Sequence, residues 1–394
     1  MVLFAHKLDH ARRRSDANRG SDRREAPTRL RAGRGAAGLI LLLSYVLVAF
    51  AARADVRIAT WHGNFSDKGP GLLLQDILAD ERDVSPILEA APDILLLTNF
   101  DFDAGHAALG ALQERLAADG LDLPYLYATR PNSGWPTGLD LDGDGRFGRP
   151  RDAHGYGQFS GQGGMALLSR YPSTLERDFS DLLWMEAPGS AMSPMDAARQ
   201  VQRLSSVAHW AICVATPEGD VLLLTLAATP PVFDGPEDRN GRRNLDEVTL
   251  WGHYLDGRLG APPDVPAVVL GNFNVDPDRG DGLHDGVRTM LAHPRLQDPQ
   301  AGTDTVTWDQ TGPMRVSYVL PDRVLEVMGA GLVPREAPRV HGAHRLVWVD
   351  VAVPAKAQLL KPQPSATVRR QTGQNRVNTT DRTQCGLRQM AGGT

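Results

Sequence analysis

Cysteine is nearly absent from this chain: Cys213 and Cys385 are the only two in 394 residues. Two thiols are too few for a disulfide framework or a cysteine-rich zinc site, so a buried core must hold the fold. Cys213 lies in the apolar run VAHWAICVA, where a buried, inert thiol is expected. Long apolar runs are missing as well. LILLLSYVLVAF at 39–50 is short for a membrane span, and only the stretch from Ala36 to Ala52 reaches the lower limit of roughly 17 residues. A strong net charge is also absent. The formal value of -5, with a pI of about 6.1, gives no strong signal for nucleic-acid binding.

What is present is a chain 42% hydrophobic and 23% charged, able to bury a large core in one large domain or two ordinary ones. Residues 1–54 read as a basic segment followed by a signal peptide or membrane anchor. Lys7, Arg12, Arg13, Arg14, Arg19, Arg23, Arg24, Arg29, Arg31 and Arg34 outweigh Asp9, Asp16, Asp22 and Glu25, and Ala52 and Ala54 form an A-x-A arrangement before Asp55. Basic residues ahead of an apolar run hold that end in the cytoplasm and send the rest across. Export to the periplasm or the extracellular space is therefore expected, with 36–52 serving as an anchor if it is not cleaved. Residues 354–394 lack a core pattern and read as a disordered basic tail.

Between these ends, short apolar runs bounded by Gly, Pro or Asp predict strands at 56–61, 93–98, 125–130, 164–169, 206–215, 221–228, 266–271, 315–320 and 345–351. Several are apolar on both faces. Helical spacing appears at 84–91, 105–118 and 244–256. The mixture predicts an α/β protein of layered sheets covered by helices.

The segments RIATW, PDILLLTNFDFD, GLDLDGDG, GQGGMALLSRYP, TPPVFDGPEDRNGRRN, GNFNVDP, RVSYVLP and HRLVWVD occur in an order and spacing that resemble the endonuclease/exonuclease/phosphatase family, above all its exported bacterial members. The resemblance covers residues 55–353 and implies a four-layer αββα sandwich, two mixed β-sheets flanked by helices. It also implies hydrolysis of phosphate esters with a divalent metal, Mg²⁺ or Mn²⁺, held by carboxylates at strand ends. Carried over residue by residue, the family's chemistry is largely missing. The phosphate-contacting asparagine falls on His62, the metal-binding glutamate on Asn99, and the phosphoryl-contacting histidine on Ala227. The aspartate that orients or deprotonates water falls on Asn272, the one that orients the last histidine on Ser317, and the metal-linked one on Ala343. Only Asn274 and His344 keep the family's residue.

An amide cannot take a proton near neutral pH, and Mg²⁺ needs hard oxygen ligands, usually including a carboxylate. The expectation is therefore a pseudoenzyme, binding a phosphorylated or other anionic ligand through Arg239, Arg242, Arg243, His344 and Asn274. One alternative is an active metal-dependent phosphoesterase in which Asp101, His62 and Asp276 have taken over, with Asp103 as a further carboxylate. Another is an exported interaction module stabilised by Ca²⁺ at 140–145, where Asp140, Asp142 and Asp144 alternate as in the first half of a calcium loop. The Arg-rich loop has a blander reading, an internal ion-pair network. His62 and His344 would face each other across the mouth, where two imidazoles are a further candidate set for Zn²⁺. His106, His154, His209, His253, His284, His293 and His341 lack metal-ligand spacing and are expected mostly at the surface or in caps.

Overall fold

Alternate residues of a strand face opposite sides of its sheet, and here both sides are apolar. In β1 (Asp55–Phe65), Val56 and Ile58 enter one core cluster while Ala59 and Trp61 enter another. A strand patterned this way needs a layer on each face. The computed structural model, which describes residues 55–335 and 343–354, supplies both.

The first sheet joins β1 to β2 (Ile94–Phe100), β3 (Tyr125–Tyr127), β4 (Gly164–Ser169), β12 (Glu326–Val333) and β13 (Leu346–Ala352), in the order β12-β13-β1-β2-β4-β3. The second has the order β11-β8-β7-β6-β5, from β5 (Ser173–Asp178), β6 (His209–Ala215), β7 (Asp220–Ala227), β8 (Ala267–Asn272) and β11 (Ser317–Pro321). Both are mixed: β1 runs parallel to β2, and β7 to β8, among antiparallel neighbours. The short β9 (Val306–Trp308) and β10 (Gly312–Met314) form a separate hairpin.

Between the sheets, Val56, Ile58, Ile94, Leu96, Val347 and Val349 meet Ile212, Leu223, Val268, Leu270 and Val319. Each such side chain contributes roughly 1.5–3 kcal/mol by leaving water. The outer face of the first sheet is covered by α1 (Leu72–Leu78), α2 (Ser85–Ala90) and α3 (Ala107–Ala118), the last through Leu109, Leu112 and Leu116 at i, i+3, i+7. The second sheet is covered by α4 (Arg239–Leu255) through Val248, Trp251 and Leu255, and by α5 (Asp285–Leu291) through Val287 and Met290. The result is the expected αββα sandwich.

Several elements go beyond the sequence reading. β5 (STLERD) is a largely exposed edge strand without apolar alternation, and β12 (EVMGAGLV) is interrupted by glycines. Gly331 is required there, since a Cβ would stand 2.6 Å from the Trp348 ring. Helix α4 begins five residues before the predicted start, in the polar turn RNGRR, because the Asp234 carboxylate accepts the Asn240 N–H. Cys213 is disulfide-bonded, not the free thiol expected. The expectations for residues 1–54, for all but Pro354 of the tail, and for His341 lie outside the described residues. Among those described, no helix is long and apolar enough to cross a membrane.

Candidate functional site

Followed toward one end of the sandwich, the apolar stripe between the sheets turns polar. In β1 it runs Val56, Ile58, Thr60, His62; in β2, Ile94, Leu96, Thr98; in β8, Val268, Leu270, Asn272. Pairing sets Ala227, Asn272 and Ser317 side by side across β7, β8 and β11, and His62 beside Thr98 across β1 and β2. Gly271 permits the close approach at this end: its φ is +143°, and a Cβ would meet the Leu226 carbonyl at 1.9 Å.

The two sheets are hydrogen-bonded to each other here. Asn272 Nδ2 lies 3.1 Å from His62 Nδ1, which is also 3.0 Å from Thr98 Oγ1. Asn272 Nδ2 donates to Asn274 Oδ1 at 3.1 Å, and Asn274 Nδ2 donates to the Ala228 carbonyl at 2.7 Å. The His344 ring packs on His62 with centroids 4.4 Å apart, and Trp308 stands edge-on to it at 5.7 Å. Trp61 Nε1 donates to the His344 carbonyl at 3.0 Å. Asn99, held at a φ of +64°, donates to the carbonyl of Gly63, next to His62. Thr98 continues the alternation Ile94, Leu96 of β2, a signal legible in the sequence. Trp308 had no signal, because its three-residue strand is too short to show a period.

The mouth carries no charge at neutral pH. Burial pushes His62 down to about 4, and burial together with the neighbouring His62 holds His344 well below the ordinary imidazole value. The nearby carboxylates are committed elsewhere. Asp101 accepts from the N–H groups of Gly163 and Asp67, and burial raises its pKa. Asp103 caps α3 through Ala107 and Ala108. Asp276 accepts from the backbone of Asp278, Arg279 and Arg315; burial would raise its pKa, but these bonds and the Arg279 charge outweigh it and lower it.

The Arg-rich loop proves to be mainly an internal network. Arg239 bonds Asp196 at 2.8 Å and Gln202 at 3.0 Å, while Arg243 is buried and donates to the carbonyls of Leu204 and Arg203. Both guanidinium groups make hydrogen bonds within the protein. Arg242 is half-buried, with its Nε unpartnered. Asp140, Asp142 and Asp144 bring oxygens within 4.8 Å of one another, the only such trio among the described residues. Both oxygens of Asp140 already accept backbone N–H groups, from Gly143, Asp144 and Gly145. His154, His209 and His293 are buried, contrary to the surface expectation. His209 is fully enclosed, between Ser205 Oγ and the Glu247 carbonyl.

The family described as Endonuclease/Exonuclease/phosphatase family matches residues 61–349. No curated protein matches the chain in sequence. Similar solved structures include an endonuclease/exonuclease/phosphatase from Beutenbergia cavernae DSM 12333, 17% identical, with a TM-score of 0.48 over 77% of this chain and 72% of that one. A family protein from Leptotrichia buccalis C-1013-b is 15% identical, with a TM-score of 0.46 over 75% of this chain and 99% of that one. The human Nocturnin catalytic domain with bound sulfate anion is 16% identical, with a TM-score of 0.44 over 76% of this chain and 93% of that one.

Divalent metals are common in this family, but the residues at this mouth do not fit Mg²⁺ or Mn²⁺. Asn99, Asn272, Ser317 and Ala343 supply no carboxylate, and Asp101 is occupied by backbone donors. The match spans well over half of the chain, and the two mixed sheets with flanking helices carry the same fold: this protein belongs to the endonuclease/exonuclease/phosphatase family.

Proposed function

We propose that this chain is a catalytically inactive member of its family, in which the hydrolytic mouth has become an uncharged pocket. The observation that carries this reading is the Asn272–His62 contact. A buried amide faces a neutral imidazole at the point where the reaction would need a proton acceptor and a charged partner. General-base catalysis contributes about 10²–10⁴-fold, and the amide of Asn272 cannot perform it where the family resemblance implies a carboxylate. Asp101 and Asp276, the carboxylates that a rearranged site would recruit, are both engaged by backbone N–H groups. An anionic ligand at the mouth would meet neutral donors only, with Arg239 and Arg243 withdrawn into the loop network.

The test uses the purified protein on a generic aryl phosphodiester with Mg²⁺, Mn²⁺, Ca²⁺ and Zn²⁺ in turn. No turnover is expected; metal-dependent turnover abolished by His344→Ala would overturn the proposal. The trio Asp140, Asp142 and Asp144 supports a second, structural reading, a weak Ca²⁺ site away from the mouth. Thermal stabilisation by millimolar Ca²⁺, absent with Mg²⁺ and lost in Asp142→Ala, is the outcome it requires. Export is proposed on the basic and apolar leader of the sequence.

A further inference from the structure

Two backbone groups dictate the orientation of three side chains at the mouth. The Ala228 carbonyl can only accept, and Asn274 Nδ2 lies 2.7 Å from it, so the Asn274 oxygen is turned away. That oxygen stands 3.1 Å from Asn272 Nδ2. The Asn274 backbone N–H can only donate, and it is shared between Asn272 Oδ1 and the Val316 carbonyl, each at 3.3 Å. Both contacts set the Asn272 amide the same way round. Flipping it would oppose oxygen to oxygen and N–H to N–H.

With that orientation, Asn272 directs an N–H at His62 Nδ1 from 3.1 Å. A donor in that place requires Nδ1 to carry the lone pair, which leaves the proton of the neutral ring on Nε2. Thr98 Oγ1, 3.0 Å from the same nitrogen, shares that single lone pair as a second donor, because its hydroxyl rotates freely. The alternative tautomer would satisfy Thr98 as an acceptor but would press Nδ1–H against the Asn272 amide N–H.

We infer that Asn272 is a positioning residue that locks His62 into its Nε2–H tautomer, so that His62 serves the mouth as a neutral hydrogen-bond donor and neither as a base nor as a metal ligand. A ligand is then met at this ring through an acceptor oxygen. The same lock removes the two-histidine Zn²⁺ reading, since Nε2 has no lone pair to give. It also makes a carboxylate at 272 incompatible with this tautomer, because an acceptor there demands Nδ1–H.

Nitrogen-15 NMR of the full chain labelled at histidine reads the tautomer directly, with His62 assigned by the resonance lost in His62→Gln. At neutral pH the expected spectrum has a pyridine-type Nδ1 and a pyrrole-type Nε2. In Asn272→Asp the two types exchange and the ring titrates at higher pH. A pyrrole-type Nδ1 in the wild type overturns the inference, as does an Asn272→Asp spectrum in which His62 is unmoved. Should that variant not fold, the wild-type spectrum alone decides. Turnover by the wild type with an Nε2–H His62 would remove the proposed inactivity and leave the tautomer assignment standing.

Discussion

Ser317 Oγ and His344 Nδ1 are both buried at the mouth, and neither has a hydrogen-bond partner among the described residues. Ser317 occupies the position where the family resemblance implies a carboxylate for the last histidine, and its hydroxyl does not replace that contact. A buried polar group without a partner costs about 1–3 kcal/mol, whereas removing it leaves nothing further to lose. Ser317→Ala is therefore expected to be neutral or slightly stabilising in urea unfolding. A loss above roughly 1.5 kcal/mol would show that the hydroxyl is engaged after all.

Acid should weaken the fold well before the carboxylates titrate. Burial, with a smaller push from the Arg243 charge, lowers His209 to about 4, although the hydrogen bond to the Glu247 carbonyl works to raise it. The unfolded chain takes up that proton near 6.5, so stability is full above pH 6.5 and falls as pH drops toward 4. A shift of this size in a fully enclosed ring is worth about 3 kcal/mol. His62 and His154, also near 4 but partly open to solvent or less enclosed, add to the same trend. Glu247, whose pKa is raised by burial, acts in the opposite direction, losing stability as pH rises. Urea midpoints between pH 7.5 and 4.5 should decline, and His209→Gln should flatten the decline.

The arginine loop separates a structural role from a ligand-binding one. Arg243 is pulled down to about 10 by burial, partly offset by Glu247, and it satisfies two carbonyls. Truncating one partner of a buried charged cluster typically costs 3–5 kcal/mol. Arg243→Ala should lower stability by about that amount, while Arg242→Ala, at a half-buried site, should cost much less. Equal and small effects on unfolding would return the loop to the ligand-binding reading.

The sandwich was legible because each core strand announces itself. Runs such as DILLLT and VLLLTLAA are apolar on both faces, which only stacked layers can bury. β12 and β5 were not legible: glycines opposite Trp348 break the first pattern, and edge exposure removes the second. At the mouth, Asn272, Asn274, His62 and His344 were all named from spacing and resemblance, and they meet in space. The direction of their hydrogen bonds was not readable, because it depends on Ala228 and Thr98, residues with no chemical signature of their own. The Arg cluster left two readings open for a related reason. Charge in a loop is visible in sequence, but whether Asp196 and the Leu204 carbonyl already claim it is not.

Restoring the carboxylate at 272 should restore no chemistry and should reverse a pH trend. Asn272 is 1% exposed, and its amide nitrogen faces His62. An aspartate there would be a buried anion unless His62 takes a proton, which would raise the ring's pKa above its unfolded value. Stability from that pair is then present below about pH 6.5 and lost as pH rises through the new folded pKa. The native His62 works the other way, losing stability as pH falls. Asn272→Asp should therefore be less stable than wild type at pH 8 and recover toward pH 6, as read by urea midpoints at the two pH values. With Asn99, Ala227, Ser317 and Ala343 unchanged, its phosphodiesterase activity in Mg²⁺ should stay at background. Turnover from this single change would show that a carboxylate at this one position, without the rest of the charged set, suffices for the chemistry.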